Sequence, residues 1–307
     1  MNQRNIANVP ASIRDKLLNK SRETKRPFIE LLQYYSMERF LYRLSISDHA
    51  RKFFLKGALM FRAWETADHR PTMDIDLLGK TINSIQNLEN ICRDLCEQNT
   101  LMVDGIIFFP NSVKGKIIQT EAEYEGIRIE FEGDLNKAII NMQIDVGFGD
   151  IIFPAPRLLS YPTILDLPAP QLQGYTPESV IAEKLEAMFK RGMLNSRLKD
   201  FFDVWILAKQ FHFSSKTLAE AIQATFNRRN TALKDSPECF SEIFSSDPLK
   251  NSQWRSFIRK SSIHSAPKAL GTIIQDITQF LNPILHGIRT NNLPILRWHA
   301  HEWKGDK

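Results

Sequence analysis

The sequence is poor in several things, and each shortage excludes a class of protein. Three cysteines in 307 residues, an odd number, leave no disulfide framework. Cys92 and Cys96 stand at i and i+4 in an expected helix, not as a Cys-x-x-Cys pair, and read as small apolar core residues. No stretch approaches the ~18 apolar residues of a membrane span. The first residues, Met-Asn-Gln-Arg-Asn-Ile, hold no signal-peptide core. A cytoplasmic protein with no membrane partner is the expectation. The histidines are scattered, and His299 and His301 have no third ligand nearby, which argues against zinc. There is no internal repeat and no low-complexity tract.

What is present is ordinary for a globular chain with a real core: 43% hydrophobic and 24% charged residues. The length suggests about two domains. A net charge of +5 is compatible with a polyanionic partner. Basic clusters lie at 14–26, at Arg228-Arg229 and at 255–260, each taken singly reading better as a solvated helix face than as a binding patch.

Apolar spacing predicts helices over 11–49, then a helix over 53–64 opening near Lys56-Gly57, and an amphipathic helix over 82–96. A polar loop is expected over 66–72, with Pro71 leading into a strand over 73–78. Short β-rich runs follow at 106–109, 115–120, 126–131 and 142–148. Six prolines between 154 and 177 read as an extended connector that leaves the sheet. Beyond Thr176 the pattern is helical almost to the end. The fold class is α+β: a mixed β-sheet flanked by helices, followed by an all-helical C-terminal domain. The domains are expected at 1–165 and 166–307.

Chemistry enters through acids. Asp74 and Asp76 sit at i and i+2 in the expected strand and so project from one face. Two carboxylates that close repel unless a cation lies between them, and Mg²⁺ prefers such oxygen ligands while keeping room for phosphates. The Gly57 turn upstream, opening a helix, offers backbone N–H groups to phosphate. Met142-Gln-Ile-Asp145-Val-Gly147-Phe alternates like a strand, with Asp145 beside a Gly that leaves space for a ligand. On a neighbouring strand, Asp145 would complete a three-carboxylate site. The bland alternative is an edge-strand Asp145 facing solvent, with Asp74 and Asp76 in a loop.

The second half adds a capped helix, Thr176-Pro177-Glu178. Its Lys184 lies on or beside the buried stripe and must snorkel out or find an anion. Asp200 and Asp203 share an apolar helical face with Val204 and Leu207. Lys184 is their obvious cation, with Arg191 and Arg197 behind it. A purely structural ion pair joining two helices reads equally well.

Five motifs in order resemble the AbiEii/AbiGii toxin family of nucleotidyltransferases, a MenT-like branch of the DNA polymerase β-like superfamily. They are Lys56-Gly57-Ala58, Arg70-Pro71-Thr72-Met73-Asp74-Ile75-Asp76, Asp145 before Gly149-Asp150, Ala182-Glu-Lys184-Leu-Glu-Ala187, and Arg197-Leu-Lys199-Asp200-Phe-Phe-Asp203. The match covers about 25–210. The resemblance implies a nucleotidyltransferase-type sheet domain at 1–165 and a C-terminal domain that completes the active site. It implies the toxin of a toxin–antitoxin system with a role in phage defence, an antitoxin partner, an NTP substrate with Mg²⁺ or Mn²⁺, and an RNA acceptor such as tRNA. On this reading Asp74 and Asp76 hold the metal, and Asp145 is the third ligand or the base. Lys184 faces the triphosphate, Asp200 orients it with Asp203 in support, and Lys56, Gly57, Ala58, Arg70 and Thr72 grip phosphate. One departure stands out: Ala58 replaces the family's Gly or the Ser of the wider superfamily, so a hydroxyl contact is missing. Transfer to a protein or small molecule, a nucleotide-binding module without turnover, and a helical scaffold with accidental acids are the alternatives.

Overall fold

In a computed structural model the structure describes residues 8–66, 70–119, 125–299 and 301–305. Parts of two expected elements, the loop at 67–69 and the strand end at 120, lie outside the described residues. The chain divides into two compact units. Unit 1 comprises 1–65, 72–149 and 158–174, and unit 2 comprises 66–71, 150–157 and 175–307.

Unit 1 opens with α1 (Val9–Thr24) and α2 (Phe28–Ser45). Lys25 in the left-handed region, followed by Pro27, separates the two helices within the helical stretch expected there. Every residue of α2 from Leu31 to Leu44 is buried. A helix buried on all sides is a core element rather than a surface one, and its polar members are therefore paired. Arg43 makes a bidentate pair with Asp104 at 2.7 and 3.1 Å, and Arg39 meets Glu38 at 2.8 Å. Phe40 packs edge-on to Phe108 and tilted against Phe131.

The segment 53–64 is not one helix. It is β1 (Phe53–Lys56), a turn at Gly57-Ala58, and α3 (Leu59–Ala63). An apolar run of that length has no period that separates a buried strand from a helix, and Gly57 at φ +69° is the break that decides it. There follow β2 (Ile75–Gly79), α4 (Ile85–Glu97), β3 (Ile107–Gln119), β4 (Glu125–Leu135) and β5 (Ala138–Phe148). Ser84 caps α4 by accepting the Asn87 N–H, and Leu88, Ile91, Cys92 and Leu95 form its buried stripe. Two of the expected short strands, 106–109 and 115–120, fall within β3, which carries an irregularity between Phe109 and Lys114.

The proline-rich segment does not leave the sheet. It returns β6 (Arg157–Ser160) and β7 (Gln171–Gly174), giving a seven-stranded order β3-β4-β5-β2-β1-β7-β6. The prolines lie outside these four-residue strands, so none of them removes a ladder N–H within β6 or β7. The sheet is mixed: β2 runs parallel to β5, and β1 parallel to β7, while β1–β2, β3–β4 and β4–β5 are antiparallel.

Unit 2 holds α5 (Pro177–Arg191), α6 (Leu198–Gln210), α7 (Ser215–Arg228), α8 (Glu242–Ser246), α9 (Pro248–Lys260) and α10 (Leu270–Thr290). Thr176 caps α5 by accepting the Ser179 N–H, with Pro177 in the first turn. A small sheet joins the helices, ordered β10 (Glu302–Gly305), β9 (Leu296–His299) and β8 (Phe213–Ser214). Trp298 and Trp303 anchor it by donating to the Ala208 and Phe280 carbonyls. Among the described residues no helix is long and apolar enough to cross a membrane.

Candidate active site

The candidate residues form two groups, one in each unit. In unit 1 the sheet register lines up four charged residues across four strands. Lys56 on β1 pairs with Asp76 on β2, Asp76 with Asp145 on β5, and Asp145 with Arg128 on β4. Directly opposed residues share a face, so the row reads basic, acidic, acidic, basic.

Asp74 stands one residue before β2, in a bend and not in the expected strand. Alternation nevertheless persists: Ile75 and Leu77 enter the core, while Asp74 and Asp76 are half-buried. The segment before β2 is fixed from below by α2. Tyr34 Oη accepts the Thr72 N–H at 3.1 Å, and Gln33 donates to the Met73 carbonyl at 3.3 Å and to the Asn141 carbonyl at 3.1 Å. Burial leads in pushing the Tyr34 hydroxyl's pKa upward, so it remains neutral. Thr72, expected to grip phosphate, turns its hydroxyl to the Asp74 backbone, whose N–H it accepts at 3.4 Å.

Gly57 has a specific reason to be glycine. Its φ of +69° lies in the left-handed region, and a Cβ built there would overlap the Asp76 carboxylate. The turn backbone therefore lies against Asp76. Ala58 is buried, and the turn feeds α3, whose first hydrogen bonds run to the Gly57 and Ala58 carbonyls. Lys56 extends over Gly147, its Nζ lying 3.6 Å from where a Cβ of that glycine would stand.

Asp145 is met by an arginine fork. Arg128 Nε and Nη2 donate to its two oxygens at 2.8 Å each, and the Gln143 amide donates to one of them at 3.4 Å. Asp74 and Asp76 have the hard oxygen donors that suit a divalent cation. Among the described residues, however, no three His, Cys, Asp or Glu side chains gather as a metal-binding group. Asp74 and Asp76 thus stand beside a third carboxylate, Asp145, that is held by an arginine. Nothing in the sequence pattern of β4 marked Arg128, which alternates with Ile127 and Ile129 like any residue on a wet strand face.

In unit 2, Lys184 on α5 reaches Asp200 Oδ1 and Asp203 Oδ2 on α6, both at 2.7 Å. Arg197 Nε donates to Asp200 at 2.9 Å, and Arg70 forks onto Asp203 at 3.2 Å. Both carboxylates are 1% exposed. Burial by itself would raise the Asp200 pKa, but Lys184 and Arg197 outweigh it and hold it down to about 2. Burial likewise works against the Lys184 charge, and Asp200 and Asp203 outweigh it, pushing the ammonium up to about 12. Lys199, which the sequence reading left out of the site, has its pKa lowered by burial and then by Arg70 and Arg197. Arg70, Lys184 and Arg197 thus hold two buried carboxylates, with Lys199 beside them.

Arg229, read as part of a basic patch, is instead buried. It meets Glu186 at 2.8 Å, Asp150 at 3.0 Å and Glu183 at 3.5 Å, within unit 2.

A family model described as "Nucleotidyl transferase AbiEii toxin, Type IV TA system" matches residues 39–276. Among solved structures, JHP933 from Helicobacter pylori is similar at 16% identity, covering 85% of this chain and 97% of that one, with a TM-score of 0.49. A second H. pylori structure, described as a candidate nucleotidyltransferase, is similar at 16% identity, 85% and 96% coverage and a TM-score of 0.47. Nothing among curated proteins matches.

Proposed function

The chain belongs to the AbiEii nucleotidyltransferase toxin family of type IV toxin–antitoxin systems, and from that premise we propose that it transfers a nucleoside monophosphate from an NTP to an RNA hydroxyl, with tRNA the favoured acceptor. The acceptor oxygen bonds to the α-phosphorus, the bond from that phosphorus to the bridging oxygen breaks, and pyrophosphate leaves. The observation that carries this reading is the register of β2 on β5, which sets Asp76 directly beside Asp145, two residues from Asp74.

Asp74 and Asp76 would hold a divalent cation, with Asp145 a third ligand or the base for the acceptor hydroxyl. When bound, such a cation supplies Lewis acidity at the α-phosphate and orients the triphosphate. The Gly57 turn fixes Asp76, and Tyr34 and Gln33 fix the backbone that delivers Asp74. Lys184 is the candidate for the charge developing on the leaving pyrophosphate, with Asp200 and Asp203 orienting its ammonium. A net charge of +5 suits an RNA partner. The family relation supports an antitoxin partner and a role in phage defence.

The test is incubation with Mg²⁺, total tRNA and each α-³²P-labelled NTP in turn, beside an Asp74→Ala control. Label on RNA that the control lacks supports the reading and reports the base preference. Label on protein or a small molecule moves the acceptor to that class. Ala58 supports a second reading, nucleotide binding without turnover, for which bound NTP and no released pyrophosphate is the signature.

A further inference from the structure

Both oxygens of Asp145 already have a partner. Arg128 lies directly opposite on β4 and takes them in a two-pronged pair at 2.8 Å each. Such a fork is a strong way to neutralise a carboxylate without a metal. A guanidinium is always charged in a protein, so the fork sets a full positive charge on Asp145. With Lys56 opposite Asp76, the row Lys56, Asp76, Asp145, Arg128 is balanced before any divalent cation arrives.

The pair is built to be exchanged. Arg128 is 29% exposed and Asp145 20%, so water and an incoming ligand can reach both. A cation that takes Asp145 must break the fork, and the freed guanidinium needs another anion. A nucleotide carries both the cation and the phosphate oxygens.

Resting on the nucleotidyltransferase reading, we propose that Arg128 is a positioning residue that competes with the divalent cation for Asp145. It holds the carboxylate in the nucleotide-free protein and yields it when the nucleotide brings a cation and an anionic oxygen to replace it. The nucleotide-free protein therefore binds cation weakly by construction.

The experiment is Mn²⁺ binding to the full chain without nucleotide, read from the electron paramagnetic resonance signal of free Mn²⁺. Arg128→Gln is expected to tighten binding about tenfold, since it removes a full positive charge within contact range of the ligand. Arg128→Lys should remain near the parent protein. In an Asp145→Asn background the Arg128→Gln gain should vanish. Equal or weaker Mn²⁺ binding by Arg128→Gln overturns the proposal. So does a gain that survives in the Asp145→Asn background, because it would reflect net charge alone. Labelling RNA with the same parent preparation separates the two readings. Label with an unmoved Mn²⁺ affinity overturns the role of Arg128 alone, and no label with any NTP overturns the transferase reading.

Discussion

The acids of the β-sheet row and the acids of α6 meet their counter-charges in opposite ways. Asp145 and Arg128 are partly exposed and are set opposite each other by backbone register. Asp200 and Asp203 are buried, and are held by Lys184, Arg70 and Arg197 reaching from side-chain distance. In the row, water reaches the Arg128–Asp145 pair, so its partners can be traded at less cost to the fold than those of a fully buried pair. In the helical cluster, removing one partner leaves a buried charge uncompensated, at about 3–5 kcal/mol. Function and stability should therefore separate in unit 1 and stay coupled in unit 2.

The sharpest way to break that contrast is Asp76→Ala or Asp74→Ala. Either should lower transfer by about 10³-fold or more, with the thermal midpoint within a few degrees of the parent because both side chains are half-buried and sit at a strand edge. Transfer near the parent rate would remove that residue from the site. Lys184→Ala should do two things together: abolish transfer and cost about 3 kcal/mol in urea unfolding, since it exposes two buried carboxylates to each other. Loss of activity with parental stability would place Lys184 outside the ion-pair network. Gly57→Ala comes next. The left-handed conformation costs about 1–2 kcal/mol for any residue with a Cβ, and the added methyl also displaces the Asp76 carboxylate. Activity should fall further than stability, and equal losses in both would argue that the turn serves only the fold.

Residues with a strict period were legible in the sequence, and residues defined by pairing were not. Asp145 could be placed on a strand face because Met142, Ile144 and Val146 alternate around it, and all three are buried. Lys184 could be matched to Asp200 and Asp203 because a lysine on an apolar helical stripe must find an anion. Arg128 could not be matched to Asp145, since that requires the β4–β5 register. The register is set by the two-residue turn Asn136-Lys137, both at positive φ. This is the geometry of a primed hairpin turn, but Asn-Lys carries a weaker signal for it than Asn-Gly. The same limit explains the segment 53–64, where a four-residue buried strand and a five-residue helix share one apolar run. It also explains β6 and β7, whose prolines read as a departure from the sheet when they only flank these two short strands.

Protonation offers a finer cut between the two units, because their buried acids are shifted in opposite directions. Asp200 has its pKa lowered from 3.8 to about 2. Its contribution to stability is therefore complete above the unfolded value and is lost as pH falls from about 4 toward 2. Glu38 in α2 is the reverse. Burial dominates, Arg39 and the Ile164 N–H offset it only in part, and its pKa rises from 4.5 to about 7. The folded state favours the protonated form, so stability is greatest below pH 4.5 and declines as pH climbs through 7. A single proton sets the limit of that slope at about 1.4 kcal/mol per pH unit. Glu38→Gln keeps an oxygen for the Ile164 N–H, which now meets Glu38 at 2.7 Å, and removes the titration. Urea unfolding of the two proteins between pH 4.5 and 7.5 should show the parent losing stability relative to Glu38→Gln as pH rises. Parallel curves would mean that Arg39, 2.8 Å away, compensates Glu38 as fully as Lys184 compensates Asp200, and the contrast between the two units would then rest on exposure alone.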